Sequence, residues 1–312
     1  MLENFLPKLS QLVNGIQFGP KFYYKFENDS ACVIVMEDLS AKGYRMADRL
    51  LSLNSDHCAV AISKLSKMHA ASMILIKEEP FIEDIFNFGF PEGSSDDPGI
   101  QQHVLSDLFP AFCKKVKTWK GFENISRKLE ELKPNLWKKT YECISREHDS
   151  FRVLNHGDFW INNFLFKYDE KSGKPLDCIF VDFQFTFYTS PAQDLQYFFG
   201  TSSLTERDQE ELLNYYHETF KGFLEAKKNP IIPSIDDLKS EMSKRLLYNF
   251  FAATHILPAV LMEKQSEKGN GLDGILDETV KNDMFEIMLS GKRFVEVMQN
   301  NLRRWNKLGL FD

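Results

Sequence analysis

The sequence has no surplus of basic residues. Lysine and arginine total 38 against 45 aspartate and glutamate residues, which gives a formal net charge of -7. Proteins that bind nucleic acids present a basic face to the phosphates. The charge balance therefore predicts no nucleic-acid partner, although a local lysine or arginine could still hold a single nucleotide.

Cysteines are few and follow no pattern. The five are Cys32, Cys58, Cys113, Cys143 and Cys178, without a CxxC pair or a cysteine–histidine pair at metal-ligand spacing. An odd number of cysteines does not favour a complete disulfide framework. We expect reduced, buried thiols in a cytoplasmic protein.

Long apolar runs are also missing. No stretch approaches the roughly 18 uninterrupted apolar residues that indicate a membrane span. The N-terminal MLENFLPKLSQL lacks the basic start and apolar run of a signal peptide. With 43% hydrophobic residues in 312, however, the chain can bury the core of a two-lobed domain.

The hydrophobic pattern predicts an α+β chain whose helices and strands lie in separate blocks. Residues 2–14 have helical spacing, and Pro7 is expected to start or kink that helix. The runs 21–26 and 31–36 flank a polar turn and predict a β-hairpin. Residues 56–76 predict a long helix.

The second half of the chain is predicted to contain a small hairpin followed by helices up to the C-terminus. The remaining predicted elements are a loop at 91–100, helices at 101–118 and 123–147, strands at 151–154, 163–168 and 178–181, an irregular stretch to about residue 191, and loops near 229–233 and 269–274.

One ordered motif places acidic and amide side chains around that hairpin. It reads HGDFWINN at 156–163 and VDFQ at 181–184. Phosphoryl transfer needs a carboxylate beside the attacking hydroxyl and oxygen ligands that hold Mg²⁺ against the nucleotide phosphates. Asp158, Asn163 five residues later, and Asp182 at the end of the hairpin would meet these needs.

Each of these side chains also has a structural interpretation. Asp158 could close a turn in its loop, Asn163 could lie at a strand edge, and Asp182 could cap a strand end. The three interpretations are not independent, because the motif is an ordered set.

The motif resembles the catalytic loop and metal-binding motif of aminoglycoside phosphotransferases and choline kinases. The whole chain is more similar still to the ecdysteroid kinase-like family, also called CHK-like. The segments that carry this resemblance are VMEDLS at 35–40, LSKMHAAS at 65–72, NHGDFWINN at 155–163, VDFQ at 181–184 and SPAQDL at 190–195.

The resemblance implies a protein kinase-like fold and an ATP-dependent kinase that acts on a small-molecule hydroxyl, such as that of an ecdysteroid or another small alcohol. It implies that Asp158 is the catalytic base and that Asn163 and Asp182 are Mg²⁺ ligands.

The resemblance also places the hinge between two lobes at Met36, Glu37 and Leu39, with the backbone of Glu37 and Leu39 facing the adenine. A buried strand ending at Met36 would leave backbone groups free beside an apolar surface, which suits a flat base. An ordinary strand end is the alternative.

The resemblance further implies a division after residue 40. Residues 1–40 would be a truncated N-lobe, a helix plus hairpin with the hinge. Residues 41–312 would be a large, mainly helical C-lobe that contains small β-hairpins, the catalytic loop and the acceptor-site helices. The family's nucleotide-covering loop, strand lysine and helix glutamate would fall before Met1, and the hairpin would keep an unpaired sheet edge.

Two functions therefore compete. A small-molecule kinase is favoured by the intact Asp158, Asn163 and Asp182. A non-catalytic binding module, or an inactive fragment, is favoured because none of the N-terminal lysines can be placed as the strand lysine. A protein kinase is disfavoured, because the H-R-D and A-P-E signatures are missing. The oligomeric state stays open.

Five further residues carry narrower predictions. His156 is expected to brace the loop, and Asp194 to bond the loop's backbone. His69 and His255 are expected to be buried core histidines. Trp160 is expected either to pack against the lobe or to line the acceptor site.

Overall fold

Helices and short strands occupy separate blocks of the chain, as the hydrophobic pattern predicts. The computed structural model describes residues 1–28, 31–87, 107–262 and 281–312. Its helices, α1 to α13 in order, are Leu6–Leu12, Ser55–Glu78, Ile82–Ile85, Leu108–Val116, Glu123–Leu132, Leu136–Ile144, Ala192–Gly200, Glu206–Ala226, Ile235–Lys244, Leu246–His255, Leu257–Leu261, Lys281–Ser290 and Lys292–Lys307. Its strands, β1 to β7, are Phe22–Asn28, Ala31–Met36, Tyr44–Met46, Val153–Asn155, Phe164–Tyr168, Pro175–Phe180 and Phe187–Thr189.

Two compact units divide the chain. The first takes in the described part of Met1–Phe90 together with Arg146–Leu195 and Leu204–Met242. The second takes in the described part of Pro91–Ser145 together with Gln196–Ser203 and Ser243–Asp312. All the predicted site residues belong to the first unit. The functional division after residue 40 stays a prediction.

Proline decides where two helices start or stop. Pro7 lies in the first turn of α1, where a missing backbone N–H breaks no helical hydrogen bond. The single helix predicted over 123–147 is wrong, because Pro134 interrupts it. Between α5 and α6 the chain forms a 3₁₀ turn at Lys133–Asn135, since proline cannot continue an α-helix from its interior.

The other predicted helices are confirmed where the structure describes them. The helix α2 begins after Asn54, whose side chain accepts a hydrogen bond from the backbone N–H of His57 at 3.0 Å. The helix α4 covers part of the range predicted at 101–118. The loops predicted at 91–100 and near 269–274 lie outside the described residues.

Three small antiparallel sheets form in the first unit. Their orders are β1-β2, β3-β5-β6 and β4-β7. The predicted hairpin is confirmed as β5 and β6, in which Phe164 pairs with Phe180 and Phe166 with Cys178. The strands β3 and β7 were not predicted, because three residues are too short to show an alternating pattern.

The hairpin of β1 and β2 is exposed, which corrects the expectation of a buried strand before the hinge. Every residue of β2 is exposed, and β1 is exposed from Tyr23 to Asn28. The chain becomes buried only after the strand, at Glu37 and Leu39. Among the described residues β1 and β2 pair only with each other, so the sheet has the unpaired edges that were predicted.

The long helix α2 forms the core of the first unit. It packs against α8 and against the strands β4 and β6. Within the described ranges it is the one helix long and apolar enough to cross a membrane by length and composition, and 67% of its apolar window is buried inside the protein. Core helices of globular proteins have the same composition, because they are apolar on most faces.

The second unit is a helical bundle with an aromatic core. The helix α10 packs against α4 and α6, and the rings of Phe250 and Trp305 meet edge to face at 5.2 Å between centroids. His255 is buried beside Phe251, and its burial lowers its pKa to about 4. The prediction of a buried helical histidine at this position is confirmed.

All five cysteines lie in the described residues, and each is a free thiol. Cys58, Cys113 and Cys178 are buried as predicted, and burial raises the pKa of each thiol to about 12. Cys143 is half-buried. Cys32 departs from the prediction, because it lies on the exposed strand β2.

Replacing a core side chain of α2 should destabilise the protein far more than replacing an exposed leucine. Leu65 is fully buried and Leu51 is 77% exposed. We expect Leu65→Ala to lower the free energy of unfolding by about 2–5 kcal/mol, because it leaves a cavity. Leu51→Ala should change it by less than about 0.5 kcal/mol. Urea unfolding followed by circular dichroism measures both, and equal losses would contradict the assignment of α2 to the core.

Candidate functional site

The loop that carries Asp158 is held by a buried carboxylate. Strand β4 ends at Asn155, and the next two backbone N–H groups belong to His156 and Gly157. They donate to the two oxygens of Asp194, at 2.6 Å and 2.8 Å. Asp194 is fully buried at the start of α7, and its predicted bond to the loop backbone is confirmed.

Asp194 belongs to a larger buried polar network. Its Oδ2 lies 3.1 Å from Nε2 of His69, whose Nδ1 lies 2.8 Å from the Tyr216 hydroxyl. Its backbone N–H donates to Asn155 Oδ1 at 3.2 Å. His69 is therefore a buried histidine with both ring nitrogens in contact, as predicted. The network joins α2, α7 and α8 around the end of β4.

His156 braces the loop against the residue that follows β6. Its Nε2 lies 2.9 Å from the Val181 carbonyl, and its Nδ1 accepts from the backbone N–H of Asp158 at 3.3 Å. A carbonyl can only accept, so the ring proton resides on Nε2 and the imidazole is neutral. Burial lowers the pKa of His156, opposed by the charges of Asp194 and Asp158. The predicted bracing role is confirmed.

The side chains of Asp158 and Asn163 are in direct contact. The Asn163 amide nitrogen donates to Asp158 Oδ2 at 2.8 Å and to the Asp158 backbone carbonyl at 2.9 Å. Asn163 is buried, whereas Asp158 is half-buried. Because the amide nitrogen is used in this way, the amide oxygen is the group that Asn163 can offer to a cation.

The hairpin brings Asp182 next to Asn163. The backbone N–H of Val181 donates to the Asn163 carbonyl at 3.0 Å, and Asp182 follows directly. Asp182 is exposed and has a left-handed backbone with a φ of 63°. Residues other than glycine seldom adopt this conformation outside sites where the surroundings impose it. The structure thus brings all three predicted residues together at the open end of β5 and β6.

The oxygens of Asn163 and Asp182 fit a hard cation such as Mg²⁺. Magnesium is commonly bound by one or two protein oxygens, with substrate phosphates and water as the other ligands. In the part of the chain that the structure describes, no group of three or more His, Cys, Asp or Glu side chains could hold a metal ion. A metal at this site would therefore depend on the nucleotide for several of its ligands.

The predicted hinge is anchored through the side chain of Glu37. Its carboxylate is paired with Lys42 and accepts from Nε2 of Gln17 at 2.6 Å and from the backbone N–H of Lys21 at 3.2 Å. Burial by itself would raise the pKa of Glu37, but these three hydrogen bonds outweigh it and lower the pKa to about 2. The carboxylate is therefore charged at any physiological pH.

The hinge backbone itself has unused hydrogen-bonding groups. Among the described residues, neither the carbonyl of Glu37 nor the N–H of Leu39 has a hydrogen-bond partner. The Leu39 side chain is buried, and that of Met36 is 42% exposed. These two groups are one acceptor and one donor, the pair that the edge of a flat base would need. The assignment of these residues to adenine stays a prediction.

A buried lysine that pairs with a half-buried aspartate was not predicted. Lys64 is only 6% exposed, and its ammonium group donates to the Gln17 backbone carbonyl at 2.9 Å and pairs with Asp177 at 2.5 Å. The Tyr44 hydroxyl donates to the same carboxylate at 2.7 Å. The available signal was a lysine inside the apolar stripe of α2, because lysine is rarely buried without a partner.

Two of the N-terminal lysines form ion pairs with glutamates. Lys8 donates to Glu79 at 2.6–2.7 Å, and Lys25 pairs with Glu27 on the same strand.

The indole N–H of Trp160 is buried and has no partner among the described residues. Neither of the two roles predicted for Trp160 is decided by this geometry.

Comparison with known proteins identifies the family. A sequence profile of the ecdysteroid kinase-like family matches residues 1–228. The chain belongs to the ecdysteroid kinase-like family. Membership places it, at the level of the family, among small-molecule kinases, and the predicted α+β class and protein kinase-like fold are confirmed. No curated protein matches the sequence.

Several solved structures are similar to this ecdysteroid kinase-like chain at low sequence identity. A choline kinase of Cryptosporidium parvum is 14% identical, with 97% of this chain and 77% of that chain covered and a TM-score of 0.43. An ethanolamine kinase of Plasmodium vivax is 14% identical, with coverages of 96% and 73% and a TM-score of 0.41. An aminoglycoside phosphotransferase of Alicyclobacillus acidocaldarius is 13% identical, with coverages of 96% and 84% and a TM-score of 0.36.

Gly157 should not tolerate a side chain. Its φ is +88°, and a Cβ built on it would lie 1.8 Å from the Phe185 carbonyl oxygen. We expect Gly157→Ala to lower the free energy of unfolding by more than about 3 kcal/mol, because backbone must move. Gly222→Ala is the control, since its Cβ would meet nothing within 4 Å. In a helix that change should stabilise by about 0.5–1 kcal/mol. Equal effects in urea unfolding would contradict the close approach.

Acid should destabilise the folded protein through His156. Burial lowers the pKa of this histidine below its ordinary value of 6.5. Between the two pKa values the unfolded chain binds a proton that the folded chain does not, so the free energy of unfolding falls as the pH falls. We expect urea midpoints measured from about pH 7.5 to about pH 5 to decrease. The decrease should be smaller in His156→Asn, and an unchanged pH slope in that variant would refute the assignment.

Proposed function

We propose that this chain is an ATP- and Mg²⁺-dependent phosphotransferase that acts on a hydroxyl group of a small molecule. One observation carries the proposal. Asn163 bonds the carboxylate of Asp158 and, through its backbone carbonyl, the N–H that precedes Asp182. A candidate base and two candidate metal ligands thus lie at one end of one hairpin, in a chain that belongs to the ecdysteroid kinase-like family.

The three side chains would have different roles. Asp158 would orient the acceptor hydroxyl and take its proton, and the Asn163 amide would keep the carboxylate in place while it does so. The oxygens of Asn163 and Asp182 would hold Mg²⁺. When bound, the metal supplies positive charge that offsets the charge of the phosphates.

The nucleotide base would bind at the hinge. The unused carbonyl of Glu37 would accept a hydrogen bond from the base edge, and the unused N–H of Leu39 would donate one. Met36, which ends β2, would contact the flat face of the ring. Burying a planar base against an apolar surface while satisfying its edge is the usual design of such pockets.

The acceptor is proposed from the family and from charge. The family description points to an ecdysteroid, or another small alcohol, as the class of acceptor. A chain of net charge -7 gives no support to an anionic acceptor. We place the reaction in the cytoplasm, in keeping with five free thiols. Neither a nucleic acid nor a membrane is proposed as a partner.

A non-catalytic binding protein is the competing function. Its support is the exposed hairpin of β1 and β2, in which the lysine Lys25 is already paired with Glu27 on the same strand. Such a protein would bind nucleotide at the hinge without consuming it. The two functions therefore differ in turnover and not in binding.

ATP consumption with Mg²⁺ and a panel of steroid and small secondary alcohols tests the proposal. Asp158→Asn should lower turnover by about 10²–10⁴-fold, which is what general base catalysis contributes. Asp236→Asn makes the same chemical change at an exposed position of α9 and should leave turnover unchanged. If the unaltered chain binds nucleotide but consumes none with any acceptor, the binding protein is the better description.

A further inference from the structure

Gln17 connects parts of the first unit that are far apart in sequence. Its side-chain amide donates to Glu37 Oε2 at 2.6 Å and to the Gly19 carbonyl at 2.9 Å. Its backbone carbonyl accepts from the buried Lys64 ammonium at 2.9 Å. The side chain of this residue therefore holds the hinge, and its backbone is held by α2.

The same segment is attached to the strand that leads to Asp182. The carbonyl of Phe18 accepts from the backbone N–H of Phe180 at 2.8 Å. Lys64 also pairs with Asp177 on β6. Two independent contacts thus fix the segment 17–19 against β6, and Asp182 follows β6 by two residues.

We propose that Gln17 is a positioning residue for nucleotide binding: it sets the hinge backbone at a fixed place relative to the strand that carries Asp182. This inference rests on the proposed function, because it assumes that the base binds at the hinge and the phosphates near Asp182. Gln17 touches neither end of the nucleotide and acts through Glu37.

The physical reason is that a nucleotide has two ends with separate binding elements. Affinity for the whole molecule requires the base pocket and the phosphate site to be held at the right separation before binding, since ordering them afterwards costs free energy. Removing the Gln17 amide would loosen the hinge relative to β6, while Glu37 keeps Lys42 and the Leu39 carbonyl keeps the N–H of Tyr44. It would leave the phosphate site intact, because the Asp158–Asn163 contact does not involve Gln17.

The side chain can be removed without disturbing its backbone contacts. Gln17→Ala deletes the side-chain bonds to Glu37 and to the Gly19 carbonyl and retains the carbonyl that Lys64 contacts. Gln11→Ala is the matched control, because Gln11 is exposed on the last turns of α1. Both proteins would be titrated calorimetrically with ADP and with inorganic tripolyphosphate, each in the presence of Mg²⁺.

We expect Gln17→Ala to raise the Kd for ADP roughly tenfold, the value of one hydrogen bond to a charged group. The Kd for tripolyphosphate, which has no base, should stay within about twofold, and Gln11→Ala should change neither. In turnover assays the KM for ATP should rise while kcat changes little, because the base contact is made in both ground and transition states. Parallel losses for both ligands, or no loss for ADP, would overturn the inference.

The binding measurements separate this inference from the proposed function. If the unaltered chain binds ADP yet transfers no phosphate, the kinase proposal fails and the comparison of Gln17→Ala with Gln11→Ala still decides the role of Gln17. If the unaltered chain binds neither ADP nor tripolyphosphate, both are refuted.

Discussion

The carboxylate of Asp194 holds the loop on which the rest of the site depends. Burying a charge is costly unless hydrogen bonds replace the lost water. Here the backbone N–H groups of His156 and Gly157 supply two such bonds, and the His69 ring supplies a third contact. Together with the bond from His156 to the Val181 carbonyl, these contacts set the path of the loop from β4.

Once the loop is held, the candidate site residues are placed by contacts that start from it. His156 spans from the loop to Val181 on the hairpin, and Asn163 spans from Asp158 to the same Val181. The carbonyl and the N–H of Val181 are therefore both bonded to residues of the same loop. The supporting residue is buried and the candidate site residues are less so: Asp194 is fully buried, Asp158 is half-buried and Asp182 is exposed. The buried members give rigidity, and the exposed members stay accessible to a ligand.

The predicted hinge also combines a buried anchor with groups that a ligand could reach. The strands β1 and β2 are exposed on both faces, and a two-stranded hairpin has little stability by itself. The order of this region comes instead from the buried carboxylate of Glu37 and its partners Gln17 and Lys42. An anchor of this kind fixes the backbone of the hinge without using the backbone groups that a base would need.

The sequence by itself determined the order of the motif, the α+β class, the hairpin of β5 and β6 and the bracing roles of His156 and Asp194. These depend on spacing, on alternating apolar residues and on a family resemblance, all of which can be read locally. Pro134 shows the limit of the helical pattern, because one residue without an N–H overrode a favourable periodicity.

Only the tertiary structure decided which distant residues meet. Lys64 on α2 contacts Gln17, which lies 47 residues before it in the sequence. It also contacts Asp177, which lies on the distant strand β6. The strands β3 and β7 exist because a partner strand supplies their hydrogen bonds, and β2 is exposed although its sequence is apolar. Burial and pairing are properties of the folded neighbourhood, so no local pattern contains them.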